Sequence, residues 1–93
     1  MSRPAADDPR ISELREQLAD NDVKIVEALN ARLALVAQLK RVKEEIGVDF
    51  LDPAREEWLF QHLARANRGP LSEDGLREIY TELLALTKRE LGR

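Results

Sequence analysis

Apolar residues recur at alternating steps of four and three positions through the first half of the chain. The positions at these steps are occupied by Ile11, Arg15, Leu18, Asp22, Ile25, Leu29, Arg32, Val36, Leu39, Lys43 and Ile46. Seven of these eleven positions are aliphatic, which is typical of a helix face that packs on another helix. We predict one helix that starts near Asp8 or Pro9 and ends at about Ile46, where Gly47 can supply a left-handed stop.

A second helix is predicted after a short connection over residues 47–52. Asp52 followed by Pro53 combines a capping carboxylate with a residue that suits the first helical turn. This helix is expected to run from about 53 to 67, where Asn67 and the Gly and Pro residues after it end the pattern.

A third helix is predicted from the cap residue Ser72 to about Leu91. Strand-like alternation is absent from the whole sequence. The expected fold class is therefore all-α, with one long helix and two shorter ones. The helical domain would span residues 9–93, after a polar tail over residues 1–8 that we expect to be frayed or disordered.

The first helix is too long to be covered by the rest of its own chain. About 37 residues at a rise of 1.5 Å give roughly 55 Å. A chain of 93 residues makes a small core, and its aliphatic seam favours another helix as the missing surface. We therefore expect a second copy of the chain to supply the partner helix.

Four charged residues interrupt the apolar seam, and three of them are cations: Arg15, Asp22, Arg32 and Lys43. An unpaired buried charge is costly, so these cations suggest an anion held between helices. Arg32 and Lys43 share a face and lie roughly 16 Å apart along the axis, whereas Arg15 is roughly 25 Å before Arg32. If Arg15 joins the same site, it must come from a second, antiparallel helix. This geometry predicts a homodimer with shared sites.

A second charged cluster opens the second helix with Asp52, Arg55 and Glu56. Arg55 and Glu56 point about 100° apart, so both could edge a pocket, with Arg55 toward an anion and Glu56 toward a hydroxyl.

Structural roles are open alternatives for all of these residues. Arg32 and Lys43 could extend over a coiled-coil edge, and Arg15 and Asp22 could form an ion pair that sets a dimer register. Asp52 could be a plain helix cap, and Arg55 and Glu56 solvated charges.

Three further side chains are expected to have structural roles. His62 is expected at the surface or rim, and Trp58 in packing or a dimer contact. The Thr87 hydroxyl is expected to donate to a helix carbonyl.

Composition excludes several classes of function. The formal net charge of −3 argues against nucleic acid as the main partner. Cysteine is absent and histidine occurs once, which excludes disulfides, thiolate chemistry and a histidine-based metal cage. No apolar run approaches the length of a membrane span, and the first residues lack the apolar segment of a signal peptide, so a cytoplasmic location is the default expectation.

The charged positions resemble those of the all-helical class of chorismate mutases over about residues 10–91. The resemblance is carried by the segments 14–32, 39–43 and 51–57. The family pattern is Leu-Arg, an Asp seven residues after that Arg, an Arg ten further on, a Lys eleven beyond it, and Asp-x-x-Arg-Glu at the start of the next helix. The residues that match it are Arg15, Asp22, Arg32, Lys43, Asp52, Arg55 and Glu56.

The resemblance implies an intertwined homodimer that converts chorismate to prephenate without cofactor or metal. Arg32 and Arg15 of the partner subunit would hold substrate carboxylates, assisted by Arg55. Lys43 would donate to the ether oxygen.

Further site residues follow from the same resemblance. Glu56 would accept from the ring hydroxyl, with Asp52 in support. Thr87 stands where the family commonly has a small hydroxyl residue.

One position departs from the family pattern. The family usually has Gln or Glu four residues after the small hydroxyl residue, and this chain has Leu91 there. Glu90 and Lys88 are close to this position and are the candidates for the missing contact.

Three alternative functions compete with a mutase. One is an isochorismate–pyruvate lyase, which is similar in fold. Another is a regulatory chorismate- or prephenate-binding domain, because residues 47–56 resemble mutase domains fused to the first shikimate-pathway enzyme. The third is a plain coiled-coil dimerisation module.

Overall fold

The computed structural model describes residues 8–92, which form three α-helices and no strand. Helix α1 spans Pro9–Ile46, α2 spans Pro53–Ala66 and α3 spans Glu73–Leu91. The all-α prediction and the order of one long and two shorter helices are confirmed. Helix α2 ends one residue earlier than expected. Most of the tail predicted over residues 1–8 lies outside the described residues.

Asp8 begins α1 as the sequence predicts. Its backbone carbonyl accepts from the N–H of Ile11 at 2.9 Å, and its Oδ1 accepts from the N–H of Arg10 at 2.8 Å. The Arg10 guanidinium also donates to Asp8 Oδ2 at 2.6 Å. These hydrogen bonds, the side-chain one first, hold the pKa of the Asp8 carboxyl below its ordinary value. The carboxylate therefore satisfies part of the helix's first turn.

The two shorter helices also begin at the predicted caps. Asp52 Oδ1 accepts from the N–H of Arg55 at 3.1 Å, and Ser72 Oγ accepts from the N–H of Gly75 at 3.0 Å. At the end of α1, Gly47 adopts a φ of 75°, a backbone angle that residues other than glycine rarely adopt. The capping signals read from the sequence are thus confirmed.

The chain divides into two compact units, and the first contains the residues before Val36. Its described part is the first 27 residues of α1 together with Asp8. The apolar side chains of this stretch are strongly exposed: Leu14, Leu18, Val23, Ile25, Val26 and Leu35 each show at least 50% of their surface. A single helical stretch cannot bury its own apolar face, so another surface is needed to cover it.

The second unit contains the end of α1 with α2 and α3. Helices α2 and α3 pack on one another. Arg77 of α3 lies 4.4 Å from the centre of the Phe60 ring and 3.4 Å from a Glu57 oxygen. Leu76 is the only buried hydrophobic residue among the residues described, and it is 8% exposed. This unit therefore has a small core in the isolated chain.

No helix within residues 8–92 is both long enough and apolar enough to cross a membrane. The assignment of residues 9–93 to one helical domain stays a prediction.

We expect Ser72→Ala to lower the free energy of unfolding by about 1 kcal/mol, because the N–H of Gly75 loses its capping acceptor. Urea unfolding at fixed protein concentration measures this loss. Ser12→Ala is the matched control, since Ser12 is exposed within α1. Equal stability of the two variants would contradict the capping role.

Candidate functional site

Lys43 lies in the last turn of α1 and is half-buried. Its Nζ donates to the backbone carbonyl of Phe50 at 3.2 Å. An ammonium group has three donors, so this bond fixes the position of the group and leaves capacity for an acceptor on a ligand. The connection between α1 and α2 thereby holds one of the three cations of the predicted seam.

Lys40, one turn before Lys43, ties the same connection to the end of α3. Its Nζ donates to the carbonyl of Leu91 at 2.7 Å and lies 5.7 Å from the centre of the Phe50 ring. A cation at the carboxyl end of a helix is favoured because unpaired carbonyls and the helix dipole meet there. Lys40 thus joins three segments of the second unit.

Glu56 and Lys88 form an ion pair between α2 and α3. Lys88 Nζ lies 2.8 Å from Glu56 Oε1, and both side chains are partly exposed. The pair brings two of the sequence-predicted site residues together. A carboxylate with four lone-pair directions can accept this bond and still accept from a ligand hydroxyl.

Arg55 points away from Glu56 and toward Trp58. Its guanidinium carbon lies 3.8 Å from the centre of the Trp58 ring. Trp58 in turn stacks on His62, with ring centres 4.8 Å apart and planes 9° from parallel. Asp52 meets Arg55 through the backbone N–H that it caps. The divergence of Arg55 and Glu56 matches the helical geometry predicted from their adjacency.

Thr87 is the one buried polar residue in the described part of the chain, at 4% exposure. Its Oγ1 donates to the carbonyl of Leu83 at 2.7 Å, which is the back-bond predicted from the sequence. Glu90 is exposed in the last turn of α3, and Leu91 is half-buried. The backbone of Leu91, through its bond to Lys40, is what this position contributes in the structure.

Arg15 and Arg32 belong to the first unit and both lie on α1. Arg15 is exposed, as is Asp22, whereas Arg32 is half-buried. All three occupy the seam predicted from the steps of four and three, beside the exposed aliphatic side chains of the same stretch.

Known families supply the decisive comparison for this set of residues. The sequence pattern of chorismate mutase type II matches residues 14–90. The chain belongs to the chorismate mutase type II family. The match covers the seam of α1 from Arg15 onward, the charged cluster that opens α2, and Thr87 and Lys88 of α3, so the resemblance seen in the sequence is confirmed.

Two solved structures of chorismate mutase from Thermus thermophilus have the same fold. Form II superposes with a TM-score of 0.85 at 28% identity, over 90% of this chain and 96% of that one. Form I gives a TM-score of 0.81 at 29% identity, over 84% and 98% of the two chains. The three-helix arrangement is therefore that of a chorismate mutase.

A curated relative is the bifunctional chorismate mutase/prephenate dehydratase of Pseudomonas aeruginosa. It is 27% identical over an aligned length of 85 residues, and the alignment covers 86% of this chain. The chain spans only 23% of that relative's length. The matched part of this chorismate mutase relative is thus a minor portion of a larger protein.

Two residues lie beside candidate site residues although the sequence did not assign them to the site. Lys40 lies three residues before Lys43, and Trp58 lies three residues after Arg55. Helical spacing alone places each beside a candidate residue. The spacing could have indicated that these residues are neighbours. It could not indicate that Lys40 donates to the Leu91 carbonyl or that Arg55 lies on the Trp58 ring, because those contacts depend on side-chain conformation.

We expect Lys40→Met to lower the free energy of unfolding by about 1 kcal/mol, because the Leu91 carbonyl loses a charged donor. Thermal or urea unfolding at fixed protein concentration measures the change. Lys24→Met, at an exposed position of α1, is the control for loss of a lysine charge. A loss of the same size in both variants would show that the Lys40 contact contributes nothing.

Proposed function

We propose that this chain catalyses the rearrangement of chorismate to prephenate. The observation that carries the proposal is the match of residues 14–90 to the chorismate mutase type II family, with family spacings at Arg15, Arg32, Lys43, Arg55 and Glu56. The reaction is an isomerisation in which an ether C–O bond breaks and a C–C bond forms. It needs no proton shuttle and no redox partner, which agrees with a site built mainly from cations.

The catalytic task is to hold a flexible dianion in a compact conformation. Arginine suits this task because its planar fork can bind a carboxylate through two hydrogen bonds. In the proposal, Arg32 and Arg15 of the partner subunit hold the substrate carboxylates, and Arg55 assists them. Fixing both ends of the substrate removes conformational entropy before the reaction begins.

Lys43 stabilises the charge that develops on the ether oxygen. The C–O bond breaks as this oxygen becomes partly anionic, and a fixed ammonium group is already charged to meet it. The bond from Lys43 Nζ to the Phe50 carbonyl supports this role, since it restricts an otherwise flexible side chain. Glu56 accepts from the ring hydroxyl, and the Lys88 ion pair holds its carboxylate.

Asp52, Thr87, Lys88 and Glu90 complete the proposed set around the substrate. Asp52 acts through its cap of α2, in which its Oδ1 accepts from the N–H of Arg55. The Thr87 hydroxyl donates its single hydrogen to the Leu83 carbonyl. To donate to a substrate carboxylate, the hydroxyl has to exchange that hydrogen bond for the new one. Lys88 is the better candidate for the contact missing at Leu91, because it already reaches Glu56.

The active form in this proposal is a homodimer of antiparallel α1 helices. The exposed aliphatic seam of α1 supports it, since side chains such as Leu18 are 62% exposed in the single chain. If the copies cross near residue 26 or 27, Arg15 of the partner subunit lies level with about residue 38, midway between Arg32 and Lys43. The same crossing sets Asp22 of the partner subunit level with about residue 31, beside Arg32.

A regulatory role in a larger protein is a second candidate. It is favoured by the relative in which the matched segment is 23% of a bifunctional protein. In that case this segment would bind chorismate or prephenate and influence an attached enzyme of the same pathway. The cytoplasmic location expected from the sequence stays a prediction.

We expect Lys43→Ala to lower kcat for chorismate at least about 100-fold, because the developing oxyanion loses its fixed cation. The loss of chorismate absorbance, with identification of prephenate, measures the rate. Lys24→Ala is the matched control and should keep the rate of the unaltered protein. Circular dichroism and sedimentation should show the same fold and assembly for all three proteins.

The same assay separates the rival functions. Full activity of Lys43→Ala would contradict the proposed role of the lysine. Release of pyruvate and salicylate from isochorismate, without prephenate from chorismate, would identify a lyase. Binding of prephenate without any turnover would favour the regulatory role.

A further inference from the structure

The guanidinium of Arg55 rests on an aromatic stack rather than on a carboxylate. Arg55, Trp58 and His62 follow one another at spacings of three and four on α2. The guanidinium carbon is 3.8 Å from the Trp58 ring centre, and the centre of the imidazole is 4.8 Å from that of the indole. The carboxylates nearest to Arg55 on α2 are engaged elsewhere, Glu56 with Lys88 and Glu57 with Arg77.

The stack holds the indole from two directions. Arg55 precedes Trp58 by three residues and His62 follows it by four, so the two groups reach the indole from opposite ends along the helix axis. The indole and imidazole planes are 9° from parallel, so the indole that contacts Arg55 is itself held in position by His62.

Trp58 is not a core residue of the second unit. It is 42% exposed, whereas Leu59, Phe60 and Leu63 on the other side of α2 are half-buried. Its ring contacts Arg55 and His62 of the same helix.

Stacking fixes a guanidinium without using its hydrogen-bond donors. The ring attracts the flat face of the cation, and the N–H groups point outward in the plane of the fork. A carboxylate can then approach the edge of a group whose orientation is already set. The entropy of ordering a long side chain is lost before the ligand arrives, which favours binding.

We propose that Trp58, braced by His62, is a positioning residue that orients Arg55 for a substrate carboxylate. The inference rests on the proposed function for the identity of the carboxylate. It assigns part of the affinity for the anionic substrate to an aromatic pair outside the charged residues of the family pattern.

A double-mutant cycle in kcat/KM tests this role. Trp58→Leu should raise KM for chorismate about two- to five-fold, the range of an exposed cation–π contact, and leave kcat nearly unchanged. Trp58→Phe should recover part of the loss, because a phenyl ring still offers a face. In an Arg55→Met background, Trp58→Leu should have no further effect, since Trp58 acts only through Arg55.

Two results of the cycle would overturn the proposal. One is an unchanged KM in Trp58→Leu, and the other is the same loss from Trp58→Leu with and without Arg55. An unfolded Trp58→Leu protein does not block the test, because His62→Leu, which removes only the brace, should raise KM in the same direction and likewise lose its effect in the Arg55→Met background.

Fluorescence gives a readout that does not require turnover. Trp58 is the single tryptophan of the chain, so the emission reports on the surroundings of this one indole. Arg55→Met should change the emission, whereas Arg89→Met, which removes an exposed arginine of α3, should not. Equal spectra for these two variants would refute the stack even in an active enzyme. Lack of chorismate turnover with an Arg55-dependent spectrum would instead refute the proposed function and leave the stack intact.

Discussion

The exposed apolar seam of α1 is the constraint on which the rest of the molecule depends. A helix of 38 residues presents aliphatic side chains that the single chain leaves largely uncovered, and Leu76 is the only hydrophobic residue buried within residues 8–92. Hydrophobic burial is the main favourable term in folding, so a chain with so little of it needs a second surface. In the proposed dimer, that surface is the same seam of another copy.

Pairing of the seams would also remove the charged residues on them from water. Arg15 is exposed in the single chain, where water screens its charge. Between two helices, Arg15 would lose that screening and would need an anionic partner. Meanwhile Lys43 and Glu56 are already restrained by Phe50 and Lys88. The proposed site thus combines groups that the chain orders by itself with groups that assembly would order.

The fold could be predicted from the sequence because local signals set each helix boundary. Asp52 and Ser72 cap their helices and Gly47 ends α1, as their residue types predict. The divergence of Arg55 and Glu56 follows from helical geometry in the same way. Three contacts could not be predicted, because they depend on how flexible side chains cross between helices or lie along one face. These are the Glu56–Lys88 pair, the Lys40–Leu91 bond and the Arg55–Trp58 stack.

Subunit complementation tests the central claim, a site shared by two copies of α1, most directly. Arg15→Ala and Lys43→Ala proteins, each inactive alone, are mixed, unfolded and refolded together. Mixed dimers would keep one intact site of two, which restores about a quarter of the unaltered activity. A mixture of Arg32→Ala and Lys43→Ala should stay inactive, since both residues belong to the same copy. No recovery in the first mixture, or equal recovery in both, would contradict the shared site.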